Sequence, residues 1–376
     1  MSVLFHQQGS VSSSRPVTVF CILMAAGFAA AQHSAVITLP DSIMEPGVKV
    51  TWVKKVPFYC EGPATDGSTL VYFTEQHSST DPNWPIWKLD ISNPSDTGTR
   101  WVLAGQNNGL FVDAKGMVYS PQSGKVVRLK KDGSVDATVA ASGGSAAFKQ
   151  ANDLSVGKNG AIYFTDHGTS LFYIDPAGQL KTVATGLSDA NGVEWIEEQN
   201  AVYVMETSLS QISKFDAGAN GALTQKVKFA GISAPDGGDF DIHGNLYVGS
   251  YREGAVHVFN TTGQDVGKIA FKMDAGQYNP TPGDAGNIDN CHFGGPENKT
   301  LFCTGDGGLF SIRLKIPGRA WPAAGTTAIG SWPRFAPKAV GKPGSYRIDG
   351  RYWLDGFEGK IPAAARPALP ILDARR

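Results

Sequence analysis

Six side chains that carry oxygen recur along this 376-residue chain at spacings of 39 to 54 residues. None of the six is a lysine, an arginine or an apolar residue. Two carboxylates with four neutral amides form a ligand set suited to Ca²⁺ and compatible with Mg²⁺, Mn²⁺ or Zn²⁺. If the fold brings them together, they predict a site for one hard divalent cation. The six positions are Glu61, Asn108, Asn152, Asn191, Asp236 and Asn290.

Each of these residues opens a segment with the pattern of a β-hairpin. The segment that begins at Asp236 passes a turn at 241–245 and ends on the apolar-aromatic-apolar run 246–248. A further alternating strand follows most hairpins, as at 126–129. Repeats of this length, with no helical periodicity, predict an all-β fold, a six-bladed β-propeller over residues 35–316, in which one repeat position lines the central channel.

Two features of the repeat leave alternatives open. Asn-Gly and Asp-Gly pairs are also ordinary turn residues, although six at one repeat position favour a shared channel. Asn107 precedes Asn108, so the register of that segment is ambiguous by one residue. A seventh blade stays open as well, because residues 35–58 have room for a strand that closes the ring.

The composition excludes some partners, and the N-terminus predicts a route out of the cell. The 33 basic and 34 acidic residues leave a formal charge of -1, so no basic surface for nucleic acid or anionic lipid is expected. Arg15 precedes an uncharged stretch that ends in three alanines at Ala31, which predicts a signal peptide over residues 1–31 and a secreted protein. About fifteen apolar residues are too few for a membrane span, which needs roughly 20.

The mature chain would keep Cys60, Cys291 and Cys303, which allows one disulfide with a thiol, or three buried thiols. Two glycosylation sequons begin at Asn260 and Asn298, both in predicted turns where a glycan could be tolerated.

The motifs around the six positions resemble the SMP-30/gluconolactonase/LRE-like family. The resemblance covers roughly residues 50 to 315 and keeps the motifs in family order; they are Glu61-Gly62-Pro63, Asn152-Asp153-Leu154, Asn191-Gly192-Val193, Pro235-Asp236-Gly237 and Asn290-Cys291-His292-Phe293-Gly294-Gly295. It implies a six-bladed propeller with one divalent cation, usually calcium or zinc, and commonly lactone hydrolysis. It also implies metal ligation by Glu61, Asn191 and Asp236, and a further amide from Asn152 near metal and substrate.

The chemistry expected of such a site is metal-assisted hydrolysis of a small-molecule lactone or related ester. The cation would polarise the carbonyl while a carboxylate, Asp236 by the resemblance, activates water. Asn152 joins the catalytic candidates. His292 does too, since it lies two residues after Asn290 and on a strand would face the same way.

Substrate contacts are expected from Asn108, Gln150 and Asn290. Family members that act on sugar lactones often carry arginine two residues before the amide at Asn152, and this chain has Gln150 there. The loss of that cation favours a less polar lactone or ester.

Two other functions stay open. A non-hydrolytic cyclase or condensation enzyme of secondary metabolism could use the same scaffold, and a binding propeller without chemistry would have no evident need for two channel carboxylates. Residues 317–376 are rich in proline and alanine but hold seven aromatic residues, so they form an extension that is either packed on the propeller or disordered.

Overall fold

The computed structural model describes residues 35–77, 80–143, 146–271 and 287–319, together with the strand backbones at 345–346, 351–354 and 357–360. The predicted signal peptide and most of the predicted C-terminal extension lie outside these residues. Among the described residues, no helix is both long enough and apolar enough to cross a bilayer.

The described elements are almost all β-strands. The first fourteen are β1 Ala35–Ile37, β2 Thr51–Thr65, β3 Leu70–Gln76, β4 Asn83–Trp84, β5 Ile86–Asp90, β6 Thr99–Val102, β7 Gly105–Gln106, β8 Phe111–Val112, β9 Val118–Gln122, β10 Lys125–Leu129, β11 Val135–Ala141, β12 Ala151–Val156, β13 Ile162–Asp166 and β14 Ser170–Ile174. The next fourteen are β15 Leu180–Ala184, β16 Ala190–Ile196, β17 Ala201–Glu206, β18 Gln211–Ala217, β19 Leu223–Gly231, β20 Pro235–Phe240, β21 Leu246–Ser250, β22 Ala255–Phe259, β23 Asp265–Phe271, β24 Ile288–Gly294, β25 Thr300–Arg313, β26 Ser345–Tyr346, β27 Arg351–Leu354 and β28 Phe357–Lys360. Short 3₁₀ turns lie at Glu197–Gln199, Thr207–Leu209, Ala219–Gly221 and Pro296–Asn298.

These strands build an all-β propeller. Three four-stranded sheets have the orders β11-β10-β9-β8, β12-β13-β14-β15 and β16-β17-β18-β19, and a five-stranded sheet has the order β1-β23-β22-β21-β20. A six-stranded sheet, β24-β25-β2-β3-β5-β6, joins the sixth predicted repeat segment to the first. Two smaller sheets, β4-β7 and β26-β27-β28, complete the described pairings.

Residues 35–58 contribute strands at two places. Strand β1 pairs with the outer strand β23, while the beginning of β2 pairs with β25. The two ends of the propeller region therefore share one sheet, which removes the open edge that an unclosed ring would expose.

The hairpin turns follow from local side-chain chemistry. In the turn after β20, the backbone N–H groups of His243 and Asn245 donate to Asp241 Oδ1 at 2.8 and 2.9 Å. Gly244 adopts φ +81°, a conformation that a residue with a Cβ rarely tolerates. The Asp-x-x-Gly sequence thus predicts this turn correctly.

The hydrophobic core lies between neighbouring sheets rather than within one of them. One cluster packs Phe111 and Tyr119 of one sheet against Phe164 and Phe172 of the next. Another joins Tyr247 to Phe293 in an edge-to-face contact with ring centroids 5.0 Å apart. Because each sheet is held by both neighbours, the inner strands cannot shift independently.

The three cysteines named above are buried and unpaired. Of the two sequons, Asn260 lies in an exposed turn, whereas the Asn298 side chain donates to the Gly318 carbonyl oxygen at 2.7 Å. A glycan on Asn298 would break that hydrogen bond.

Candidate metal centre

A β-bulge at the same point of four inner strands positions the site. In β12, β16, β20 and β24 the pairing with the next strand skips two residues. A bulge of this kind bends the strand and re-aims the extra side chains. The first residues of the four bulges are Asn152, Asn191, Asp236 and Asp289. In β2 the bulge follows Glu61, which pairs with Thr74.

Carboxylates at strand ends, the half-buried Asp166 and the buried Glu206, hold the loops that lead into two of these strands. Asp166 Oδ1 accepts the Gln150 N–H at 2.7 Å, two residues before Asn152. Glu206 Oε2 accepts the Ser188 N–H at 2.8 Å, ahead of Asn191. Each acceptor is the last residue of the second strand in its sheet, so the sheet itself orients the loop.

Glu206 offers a test of this support. It is fully buried, and it binds Lys226 at 2.8 Å and the Ser213 hydroxyl as well as Ser188. We expect Glu206→Ala to lower the free energy of unfolding by about 1–3 kcal/mol, because it leaves buried donors unsatisfied. Glu198→Ala, which removes a half-exposed partner of Lys158, should cost under about 1 kcal/mol in the same urea titration. Equal losses would contradict the loop-holding role.

Glu61 and Asp236 form the acidic centre of the site. Both are buried, at 4% and 3% exposure. Burial raises the pKa of Glu61 to about 7, although the Gly62 N–H donates to Glu61 Oε2 at 2.8 Å and opposes the shift. Burial also raises the pKa of Asp236 well above its usual range, and the negative charges of Glu61 and Asp153 add to the effect. A bound cation would remove this penalty.

The unsatisfied oxygens fit such a cation. Asp236 Oδ1 is buried and has no hydrogen-bond partner among the described residues. Within the described part of the chain, no lysine or arginine forms an ion pair with Glu61 or Asp236. Asn152 and Asn191, 7% and 6% exposed, supply neutral amide oxygens at equivalent positions. The described residues contain no three acidic, histidine or cysteine side chains already grouped as ligands, so the amides are essential to the fit.

The second residues of the bulges are Asp153, Gly192, Gly237 and Asn290, and this layer of residues contains its own polar contact. Asn290 Nδ2 lies 3.4 Å from Asp153 Oδ2, and its Oδ1 accepts the Cys291 N–H at 2.8 Å. Gly237 makes room for this pair, because a Cβ there would lie 2.1 Å from the Asn290 amide. Asn290 therefore belongs to this layer rather than to the position of Asn152 and Asp236 that the repeat predicts.

Other predicted site residues lie in different surroundings. Asn108 Oδ1 accepts from Gln76 Nε2 at 2.9 Å, while Asn107 binds backbone carbonyls and is structural. Gln150 is half-buried in the loop before β12. His292 binds Asp239 with its Nδ1 3.2 Å from Oδ2, three residues along β20 from Asp236.

Sequence reasoning missed two further features. Asp289 immediately precedes Asn290, and the repeat alignment places Asn290 instead of Asp289 at the position of Asp236. Tyr59 and Tyr251 form an aromatic pair, 6.2 Å between ring centroids, beside the acidic centre. The Tyr59 hydroxyl lies 3.4 Å from Glu61 Oε1, and Tyr251 is 37% exposed. No motif marks these tyrosines, because the fold alone brings β2 and the end of β21 together.

Residues 138–306, which include Asn152, Asn191 and Asp236 but not Glu61, match a family model described as SMP-30/Gluconolactonase/LRE-like region. The resemblance in the motifs is thereby confirmed. A gluconolactonase of Zymomonas mobilis is 24% identical over 74% of this chain and 85% of its own length. A lactonase of Staphylococcus epidermidis is 28% identical over 41% of this chain, and the match spans only half of that protein.

Solved structures agree on the fold. A gluconolactonase of Xanthomonas campestris superposes with a TM-score of 0.61 at 23% identity, covering 76% of this chain and 99% of that one. Regucalcin of Agrobacterium tumefaciens, described as a calcium-binding protein, gives a TM-score of 0.57 at 16% identity, covering 77% and 97%. At these identities the likeness shows the propeller fold alone.

Proposed function

We propose that this protein is a divalent-cation-dependent hydrolase that opens a lactone or related ester. The gluconolactonase and lactonase relatives support lactone hydrolysis in general. The main support for the cation is the buried pair Glu61 and Asp236, which has no cationic partner among the described residues. These carboxylates lie at the same repeat position as the amides Asn152 and Asn191.

Asp236 serves as the general base in this proposal. When bound, the cation polarises the lactone carbonyl and stabilises negative charge on its oxygen. Asp236 Oδ1 has no hydrogen-bond partner among the described residues, which leaves this oxygen available to accept a proton. Asp236 takes a proton from the attacking water as the water oxygen bonds to the carbonyl carbon. The ring C–O ester bond then breaks, and the proton passes to the leaving oxygen, which becomes the hydroxyl of the hydroxy acid product.

The ligand set supports Ca²⁺ as the cation, with Mg²⁺, Mn²⁺ or Zn²⁺ as alternatives. Carboxylate and amide oxygens are hard ligands, and Ca²⁺ accepts six to eight of them in flexible geometry. No histidine contributes to the ring, and the buried thiols of Cys60, Cys291 and Cys303 lie in hydrophobic clusters. Soft ligands for zinc or copper are therefore not offered by the described ring.

Six blades remain our proposal for the propeller. The six-stranded sheet contains two inner strands, β2 and β24, each with a bulge of the kind seen in the other sheets. It is therefore best divided into a blade that begins at β24 and a blade that begins at the second half of β2. The signal peptide and secretion also stay predictions.

A weakly polar substrate fits the surroundings of the ring. Gln150 carries no charge, and the Tyr59–Tyr251 pair offers an aromatic surface beside the acidic centre. We propose that a lactone with an apolar substituent lies against this pair while its carbonyl faces the position where Glu61 and Asp236 would hold the cation. His292 is a weaker catalytic candidate than it is in the sequence, since Asp239 engages its ring.

Tyr251 gives a test of substrate class. We expect Tyr251→Ala to raise KM for aliphatic or aromatic lactones by about 5- to 30-fold, the loss of roughly 1–2 kcal/mol of apolar contact, with little change in kcat. Tyr251→Phe keeps the ring and should behave like the wild type. Steady-state kinetics on a sugar lactone should show a smaller effect, and an equal effect on both classes would contradict the proposed aromatic contact.

The proposed function is tested by hydrolysis of aliphatic, aromatic and sugar lactones before and after EDTA treatment. We expect turnover of at least one aliphatic or aromatic lactone, its loss with EDTA, and its return with Ca²⁺. Activity that survives complete metal removal would refute the cation dependence. Absence of hydrolysis across the panel, with Ca²⁺ bound, would refute the lactonase and favour a non-hydrolytic cyclase or condensation enzyme.

A further inference from the structure

Asp289 occupies a repeat position that the proposed cation ligands also occupy. Ile288 pairs with Gly305 and Cys291 with Cys303, so Asp289 is the first residue of the bulge in β24. Asn152, Asn191 and Asp236 are the first residues of the bulges in their own strands. Strands that bend in the same way direct these side chains to the same part of the channel.

The Asp289 carboxylate has no partner that explains its burial. The residue is 0% exposed, and neither Oδ1 nor Oδ2 has a hydrogen-bond partner among the described residues. Buried carboxylates are normally hydrogen-bonded, paired with a cation or bound to a metal. Two bare oxygens on one fully buried side chain therefore indicate a ligand that completes the site.

The groups around Asp289 are acidic. Burial raises its pKa well above the usual range, and the charges of Glu61, Asp236 and Asp306 raise it further. Asp306 is engaged elsewhere, because its Oδ2 accepts the Asn287 N–H at 3.0 Å. Glu61 and Asp236 are the two proposed carboxylate ligands, so Asp289 adds a third charge beside them.

We propose that Asp289 is a third carboxylate ligand of the cation in this channel. The inference rests on the proposed function, since it concerns the same cation. Among the described residues no three acidic side chains are already grouped as ligands, so the proposal requires Asp289 to move toward Glu61 and Asp236 when the cation binds. With Asn152 and Asn191, the ring then offers five oxygen-bearing side chains, a number that suits Ca²⁺ better than Mg²⁺, which retains several waters.

Terbium luminescence tests the ligand directly. Tb³⁺ replaces Ca²⁺ at oxygen sites, and its decay rates in H₂O and D₂O report how many waters it carries. We expect Asp289→Asn to weaken Ca²⁺ binding by about tenfold or more, since loss of mere supporting groups already costs 10- to 100-fold. We also expect the bound Tb³⁺ to gain about one water, because a carboxylate ligand is replaced by a weaker amide.

Asp306→Asn is the matched control. It removes a nearby buried charge while the amide oxygen can still accept the Asn287 N–H, so hydration of bound Tb³⁺ should stay at the wild-type value. If Asp289→Asn keeps both the wild-type affinity and the wild-type hydration, the inference is wrong. If the wild type itself binds neither Ca²⁺ nor Tb³⁺, the proposed cation site is wrong instead.

The melting temperature of the metal-free protein separates ligation from a structural role. Removal of a repelled, unpartnered charge should raise the melting temperature of metal-free Asp289→Asn, while the additional rise caused by Ca²⁺ becomes smaller than in the wild type. A purely structural aspartate would instead lower the melting temperature in the absence of metal and leave the Ca²⁺-induced rise intact. That second pattern would overturn the inference.

Discussion

Asp236→Asn is expected to lower kcat/KM for lactone hydrolysis by about 10²- to 10⁴-fold, the range that a general base contributes. Asparagine keeps an oxygen that can face the cation, but it cannot take a proton from water. The catalytic loss should therefore exceed any loss of Ca²⁺ affinity. Steady-state kinetics and calorimetric Ca²⁺ titration of the same preparation measure the two effects.

The same Asp306→Asn control applies here, because Asp306 is a buried carboxylate near the ring whose Oδ2 is already engaged by Asn287. Its kcat/KM should remain within about threefold of the wild type, as expected for a residue that makes no contact with reacting atoms. A wild-type rate in Asp236→Asn would refute the assignment of the base. A fall that only matched the loss of Ca²⁺ affinity would show that Asp236 is a ligand without a role in proton transfer.

Calcium is expected to stabilise the protein as well as activate it. A ligand that binds only the folded state at 100 to 1,000 times its Kd adds about 2.7–4.1 kcal/mol to the free energy of unfolding. Ca²⁺ should therefore raise the melting temperature by several degrees over the EDTA-treated protein. The structural reason is the relief of repulsion between Glu61 and Asp236, both buried and without a cationic partner in the described chain.

Glu61→Gln provides the comparison for this stabilisation. It removes one of the repelled charges, so the Ca²⁺-induced rise in melting temperature should shrink while the metal-free protein loses little stability. Na⁺ at equal ionic strength should leave the melting temperature nearly unchanged, because screening acts weakly on buried groups. An equal rise with Na⁺ and Ca²⁺ would contradict a specific site.

The sequence predicts the propeller and much of the ring because turn residues and strand alternation act over a few neighbouring residues. Asp236 and Asn191 each precede glycine at the start of a hairpin, and the pairings place both at the first residue of a bulge. Alternating apolar residues such as those of β21 set which face is buried, since a strand has only two faces. These features need no knowledge of distant contacts.

The register of the sixth hairpin is not available from spacing alone. In β16, Glu194 pairs with Tyr203, and Asn191 lies three residues before Glu194. In β20, Asp239 pairs with Tyr247, and Asp236 lies three residues before Asp239. In β24 the same rule leads from Phe302, through its partner His292, to Asp289 rather than Asn290. The hairpin turns differ in length, so only strand pairing identifies the equivalent residue.

Contacts between sheets are equally unpredictable from the sequence motifs. The proximity of Tyr59 to Tyr251 depends on how the first and fifth repeat segments close around the channel. The pairing of His292 with Asp239 joins two neighbouring inner strands, and no spacing in the sequence predicts it. Such contacts follow from closure of the ring, which no single motif encodes.

The most direct test is a crystal structure of the protein grown with Mn²⁺ in place of Ca²⁺, with anomalous diffraction data to locate the metal. The account predicts a single strong anomalous peak in the channel, coordinated by oxygens of Glu61, Asn191 and Asp236. It also predicts that the peak disappears from crystals treated with EDTA. A channel without a peak, in crystals where Mn²⁺ supports full activity, would contradict the account.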